Sequence, residues 1–237
     1  MSKTPSIAAF LKSLRTRFGA QETPEPAADP IDEFVWSFLL WESTPTKATH
    51  ALRRIRAETV DFNEFRVALP VEIRGMLGER YPMVTERSVR LRAALDDIFR
   101  KEHAVSLARL LTLTKRESRQ QLDSIEATPP YVAARVQLVA LGGHAVPLDQ
   151  RTLDLLVGAG VFGDATPTLE EATATLTRAI RADESIEAHL LMTAWAEAGG
   201  MSTKRSGGRA KGRTEPSRAR TTTRKTAAVA ARGRKKK

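Results

Sequence analysis

The sequence predicts an all-α protein. Three observations predict it. Apolar residues recur at i, i+3, i+4 and i+7 in one segment after another. Helix-capping residues, Thr or Asp followed by Pro or by Glu three places on, stand where those segments begin. No stretch has clear strand character, and no repeat of solenoid period appears.

Residues 1–18 predict an amphipathic helix, with Ile7, Phe10, Leu11, Leu14 and Phe18 on one face and Lys12, Arg15 and Arg17 beside them. No acid precedes Glu22, so an organellar transit peptide or a membrane-surface helix is the alternative to a helix docked on the domain. Residues 19–30, with one Gly and three prolines, read as a linker. The helical domain is assigned to residues 31–201. Ile31, Phe34, Val35, Phe38 and Leu39 form its first apolar stripe. Thr44-Pro45 opens a helix through Ala48, Leu52 and Ile55; Asp61 with Glu64 caps the next; a short one spans 71–77. Residues 85–101 form a long helix with Leu91, Leu95, Ile98 and Phe99 inside and Arg87, Arg90 and Arg92 outside. Leu107, Leu110 and Leu111 mark another, and Thr114 with Glu117 caps the one after. Thr168 with Glu171 starts a helix through Ala172, Leu176 and Ile180, and Asp183 caps the last, 186–198.

The most informative stretch is 122–156. Leu122 and Ile125 end one helix. Thr128 is the expected N-cap of the next and Pro129 its first residue, where a missing N–H costs nothing. Val132, Val136, Val139 and Ala140 keep helical spacing until Gly142-Gly143. A short apolar connection, His144 to Leu148, leads to Asp149, and Leu153, Leu155 and Leu156 follow.

In spacing, this stretch resembles the helix-hairpin-helix DNA glycosylases of the endonuclease III superfamily. The resemblance places residues 125–129 on the hairpin, Tyr131 on the lyase lysine, Gly142 on the glycine after the Ala-rich helix and Asp149 on the catalytic aspartate. It extends over about 29–199. Leu39-Leu40-Trp41-Glu42-Ser43-Thr44-Pro45 falls on a family Leu-Leu-Ser-Ala-Gln-Ala-Thr-like run, and Ser43 on its glutamine. His189-Leu190-Leu191-Met192 looks like the helix before the cluster cysteines of many relatives.

The resemblance implies that Asp149 stabilises an oxocarbenium-like sugar or activates water. The same Asp before Gln150-Arg151-Thr152 also reads as a plain N-cap. Tyr131 cannot form an imine, so lyase chemistry through this position is not expected. At the hairpin, Ala127 and Thr128 replace the central residues and Pro129 and Pro130 each remove a donor, which weakens phosphate capture. Thr128, at the helix start, is the hairpin's candidate DNA-binding residue. Glu42 and Asp32 are candidate polar groups of the cleft. Trp36, Trp41 and Trp195 read as core residues with stacking as the alternative. His144 and His189 stand alone, so no metal is expected. Without cysteine there is no disulfide, thiolate zinc site or iron–sulfur cluster, and no cofactor is expected.

Charge divides the chain. Residues 202–237 carry fourteen Lys/Arg and one acid, Glu215, a net +13. Setting these aside from the 38 bases and 28 acids of all 237 residues leaves 24 and 27, a net −3 over residues 1–201. The tail, rich in Ala, Thr, Ser and Gly and without aromatics, is expected to be disordered. It resembles the basic tails of histone H1-like nucleoid proteins. Its candidate DNA-binding residues are Lys204, Arg205, Arg209, Lys211, Arg213, Arg218, Arg220, Arg224, Lys225, Arg232, Arg234, Lys235, Lys236 and Lys237, contacting phosphates without regard to sequence.

The expectation is a helix-hairpin-helix glycosylase-like domain with a basic tail that binds double-stranded DNA, lyase activity lost, in a repair or nucleoid context in the cytoplasm, without a membrane partner. Two alternatives stay open: an active monofunctional glycosylase using Asp149, and a catalytically dead protein-interaction module.

Overall fold

A computed structural model describes residues 6–25 and 27–200. The basic segment from Lys204 onward, and residues 1–5 of the expected first helix, lie outside the described residues. Within them the fold is helical, with no strand. The α-helices are α1 (Ile7–Phe18), α2 (Ile31–Leu40), α3 (Pro45–Glu58), α4 (Phe62–Val67), α5 (Pro70–Leu77), α6 (Val84–Glu102), α7 (Lys115–Asp123), α8 (Pro130–Val139), α9 (Gln150–Gly158), α10 (Leu169–Ala179) and α11 (Ser185–Glu197). Ala108–Thr112 and Ala182–Glu184 are 3-10 turns.

Two apolar cores organise these helices. Phe34, Phe38, Ile55, Phe65, Leu91, Leu95, Val132 and Val136 belong to the first, built from α2 to α8. Phe10, Leu14, Leu148, Leu153, Leu156, Leu176 and Trp195 belong to the second, built from α1 and α9 to α11. A small third cluster, Ala134, Leu138, Val139 and Ala145 with Ile186 against it, joins α8 to the second lobe. α8 is buried from Tyr131 to Val139, as expected of a helix at the centre of a protein.

The N-terminal helix docks. Phe10 meets Trp195 edge-on at 5.1 Å between ring centres, and Leu14 is fully buried. A twelve-residue helix is marginal alone. Burying two such side chains, about 1.5–3 kcal/mol each, decides for docking over fraying.

Five sequence expectations need correction. Asp183 does not cap the last helix: it lies in the 3-10 turn before α11, paired with Arg181 at 3.0 Å, and α11 starts at Ser185 without a side-chain cap. Thr128 is not the cap of α8. Pro129 takes that place with ψ 145°, Pro130 is the first helical residue, and the Thr128 hydroxyl is buried without a hydrogen-bond partner. The residue before a proline is driven out of the α region, so the second proline moves the helix start one place on. Arg87 is not outside but fully buried, because it lies one turn before Leu91 on the apolar stripe of α6. Phe99 is half-buried, with the Arg66 guanidinium over its ring at 3.9 Å. Leu107, Leu110 and Leu111 form only a 3-10 turn, and Leu111 is exposed. Thr114 already caps α7, which leaves too few residues for an α nucleus. After α8, Gly142 adopts φ +60°, and a Cβ on Gly143 would come within 2.2 Å of Gln137 Nε2, so the tight exit admits no side chain there.

Candidate functional site

The buried extended connection after Gly143 delivers Asp149 to the start of α9. Its Oδ1 accepts the Thr152 N–H at 2.9 Å, the expected N-cap bond. Its Oδ2 accepts the Glu42 N–H at 2.8 Å. Asp149 is 3% exposed, so the carboxylate faces its own helix and the α2–α3 turn rather than solvent.

Glu42 answers from that turn. Its Oε1 accepts the Gln150 N–H at 2.7 Å and its Oε2 the Arg151 N–H at 3.0 Å. Three of the orphan donors that open α9 are thus held by two carboxylates. Glu42 adopts φ +53°, uncommon for a side-chain-bearing residue. Burial pushes its carboxyl above the usual value, and the Asp149 charge adds to this.

The turn is braced from α6. The Arg87 guanidinium donates to the carbonyls of Phe38, Trp41 and Pro82 and lies 5.1 Å from the Tyr81 ring centre. A cation at the C-terminal carbonyls of α2 complements the helix dipole. Burial pulls Arg87 down to about 10. Tyr81 donates its hydroxyl to Leu39 O at 2.7 Å.

Tyr131, at the lyase-lysine position, is buried on α8. Burial holds its phenol well above the ordinary value, and the Asp149 and Glu42 charges add to this. One turn on, Arg135 pairs with Glu33, donates to Ser37 Oγ at 3.1 Å and to His189 Nε2 at 3.1 Å, and lies 4.3 Å from the Trp36 ring centre. Burial pulls the guanidinium down to about 9 and holds the His189 imidazole well below 6.5, where it accepts as a neutral ring.

The hairpin is closed from within. The Glu126 N–H donates to Asp97 Oδ2 at 3.0 Å, and Lys101 and Arg100 pair with the same carboxylate. The Thr128 N–H donates to Ile125 O at 3.3 Å. Arg90 Nε donates to the carbonyl of Ala127, which holds the left-handed conformation, φ +57°, that a hairpin glycine would take without strain. Glu126 points outward as an exposed acid.

The structure therefore brings Asp149, Tyr131 and Glu42 together and leaves Thr128 apart, facing inward. Asp32 lies on the surface, paired with Arg56 at 2.8 Å. Trp195 is core, and Trp36 and Trp41 are half-buried under guanidiniums. His144 meets Ile180 O at 3.1 Å, and among the described residues no three His, Cys, Asp or Glu are grouped to hold a metal. A groove of about 560 Å³ runs between α8, the 144–148 connection and α10, floored by Ala134, Val146, Leu148 and Leu169; Asp149 does not line it. No described helix is long and apolar enough to cross a membrane. Sequence reasoning missed Arg87, Arg135 and Asp97. For Arg87 a signal existed, its i, i+4 spacing to Leu91; for the others none did.

Two helices meeting at a hairpin, followed by a helix that opens on an aspartate between two helical lobes, define the helix-hairpin-helix DNA glycosylase fold, and this chain has it. The architecture is similar to that of endonuclease III trapped in a covalent intermediate with DNA (TM-score 0.59, 14% identity, 82% of this chain and 86% of that one). It is similar also to a thermostable thymine-DNA glycosylase (0.55, 13%, 80% and 85%) and to H. pylori 3-methyladenine DNA glycosylase, MagIII, bound to 1,N6-ethenoadenine (0.56, 12%, 82% and 98%). No protein-family model matches the sequence, and no curated protein matches it. α11 is followed by Gly199-Gly200, and the 237 residues include no cysteine.

Proposed function

We propose that this chain binds double-stranded DNA on a glycosylase scaffold without excising bases, and that the Lys/Arg-rich segment 202–237 supplies the grip. One observation carries the reading: carboxylates of the protein itself occupy the backbone donors at the hairpin and at the start of α9. Asp97 takes the Glu126 N–H; Asp149 and Glu42 take those of Thr152, Gln150 and Arg151. A phosphate approaching either edge finds these N–H groups already taken. The net charge of −3 over residues 1–201 points the same way, since domains that grip a duplex by their own surface are usually basic. Fourteen bases in residues 202–237 offer sequence-independent phosphate contacts with counterion release. Tyr131 has no amine for Schiff-base chemistry, so strand cleavage by the lyase route is lost.

The test pairs binding with chemistry. Full-length protein is titrated against an undamaged duplex, then incubated with duplexes carrying alkylated, oxidised, deaminated or mismatched bases and treated with alkali. The expected result is binding without strand breaks. Breaks that appear with the wild type and vanish in Asp149→Asn would establish the monofunctional glycosylase instead. Absence of duplex binding would leave the protein-interaction module.

A further inference from the structure

The two lobes meet along an apolar seam and a polar one. The apolar seam is Ala134, Leu138, Val139, Ala145 and Ile186. The polar seam is Glu42 against the start of α9, with Thr46 N–H donating to Glu197 Oε1 at 2.9 Å beside it. We propose that Glu42 is an electrostatically loaded latch between the lobes, and that its release bares the Asp149 carboxylate.

The geometry makes the contact reciprocal. Glu42 gives its N–H to Asp149 and takes the two N–H groups that follow Asp149 in the chain, so neither carboxylate leaves without unpairing the other's backbone. The latch is loaded because it sets two carboxylates side by side in a partly buried seam and holds Glu42 in the left-handed region. Asp149 and Asp154 on α9 set their charges against the Glu42 carboxyl, while Arg87 on α6, Arg151 on α9 and the Tyr131 phenol on α8 lie around the same seam. Closure is held by three short hydrogen bonds and opposed by charge.

The sign of the pH dependence follows. In the closed form the Glu42 carboxyl sits above its usual value; in an open, hydrated form it returns to it. Closing therefore takes up a proton, and the open form gains as pH rises from the ordinary carboxylate range through the raised value. This inference goes beyond DNA binding and is tested without DNA, so its failure and that of the proposed function are separate results.

Because the sequence has no cysteine, two introduced thiols label uniquely. Arg53→Cys on α3 and Arg178→Cys on α10 are exposed and lie on opposite lobes. Spin labels there report the interlobe distance in the full-length chain by pulsed electron resonance. The latch predicts a longer-distance population in the wild type that grows as pH rises from 5 to 8. In Glu42→Ala it should exceed about a tenth of molecules at both pH values, and in Glu42→Gln it should lose its pH dependence. Unchanged helix content by circular dichroism controls for folding. A wild-type distribution identical at both pH values overturns the latch, and so does a folded Glu42→Ala protein with the wild-type distribution. If Glu42→Ala does not fold, the wild-type and Glu42→Gln pH series decide alone.

Discussion

The Asp97 carboxylate on α6 accepts the Glu126 backbone N–H of the hairpin at 3.0 Å. The hairpin N–H is thus spent on an acid 29 residues away in the chain. Burial pushes the Asp97 carboxyl up, but the Lys101 ammonium and the Glu126 N–H outweigh burial and leave it below the ordinary value. The bond's contribution is therefore present above the ordinary Asp range near pH 4 and is lost as pH falls through the depressed value. Asp97→Ala should cost about 1–3 kcal/mol by urea denaturation at pH 7, the range for a charge-assisted bond, and the difference from wild type should shrink in acid.

His189 supplies a second pH effect of known sign. Its imidazole is buried and neutral, and protonation would set a cation against the Arg135 guanidinium. With the folded value well below 6.5, stability is fully present above that pH and falls as acid is added, by at most about 1.4 kcal/mol per pH unit for one proton. His189→Gln keeps an acceptor for Arg135 and does not titrate. Thermal melts between pH 7 and pH 5 should show a flatter decline in the variant.

Arg87 ties the end of α2 to α6. Arg87→Met keeps the apolar stem and removes every donor, leaving the Phe38 and Trp41 carbonyls without this partner. An unpaired buried polar group costs about 1–3 kcal/mol, and two are at stake, so a loss of about 3 kcal/mol or more is expected in denaturant titration. Hydrogen exchange should quicken at Gln150 and Arg151 as well, because the turn that presents Glu42 is no longer held.

Asp149 is expected to behave as a structural residue. Asp149→Ala removes acceptors from the Thr152 and Glu42 N–H groups and should destabilise the fold by about 1–3 kcal/mol. Duplex affinity measured below the melting transition should stay within about twofold, since Asp149 is not placed to touch a phosphate. A selective loss of affinity with unchanged stability would reassign it to the DNA interface.

What the sequence revealed was local. Thr114 with Glu117, Thr168 with Glu171, and Asp149 are legible because a cap and its helix lie within four residues. The order of hairpin, helix, apolar connection and aspartate was legible as spacing, although most of the motif residues have changed. The tertiary partners were not. The Glu42–Asp149 contact joins residues 107 apart, and nothing near Glu42 marks it as the cap of a distant helix. Arg87 read as a surface residue because arginine usually is one, and nothing in the sequence singled out Arg135; only the carbonyls of α2, and Glu33 with His189, explain their burial. At Thr128 the sequence misled, because the local rule for a cap yielded to the restriction one proline places on the residue before it.

The central claim is that the scaffold's own carboxylates have closed its anion-binding edges and that the basic segment provides the hold on DNA. Its most direct test is the salt dependence of duplex binding by full-length protein and by residues 1–201, measured by fluorescence anisotropy from low to physiological salt. Each phosphate contact adds about 0.9 to the slope of log affinity against log salt. The full-length chain should show a steep slope, and removing residues 202–237 should leave a slope near zero and weak binding. An unchanged slope and affinity in the shortened protein would contradict the claim and return the grip to the helical domain.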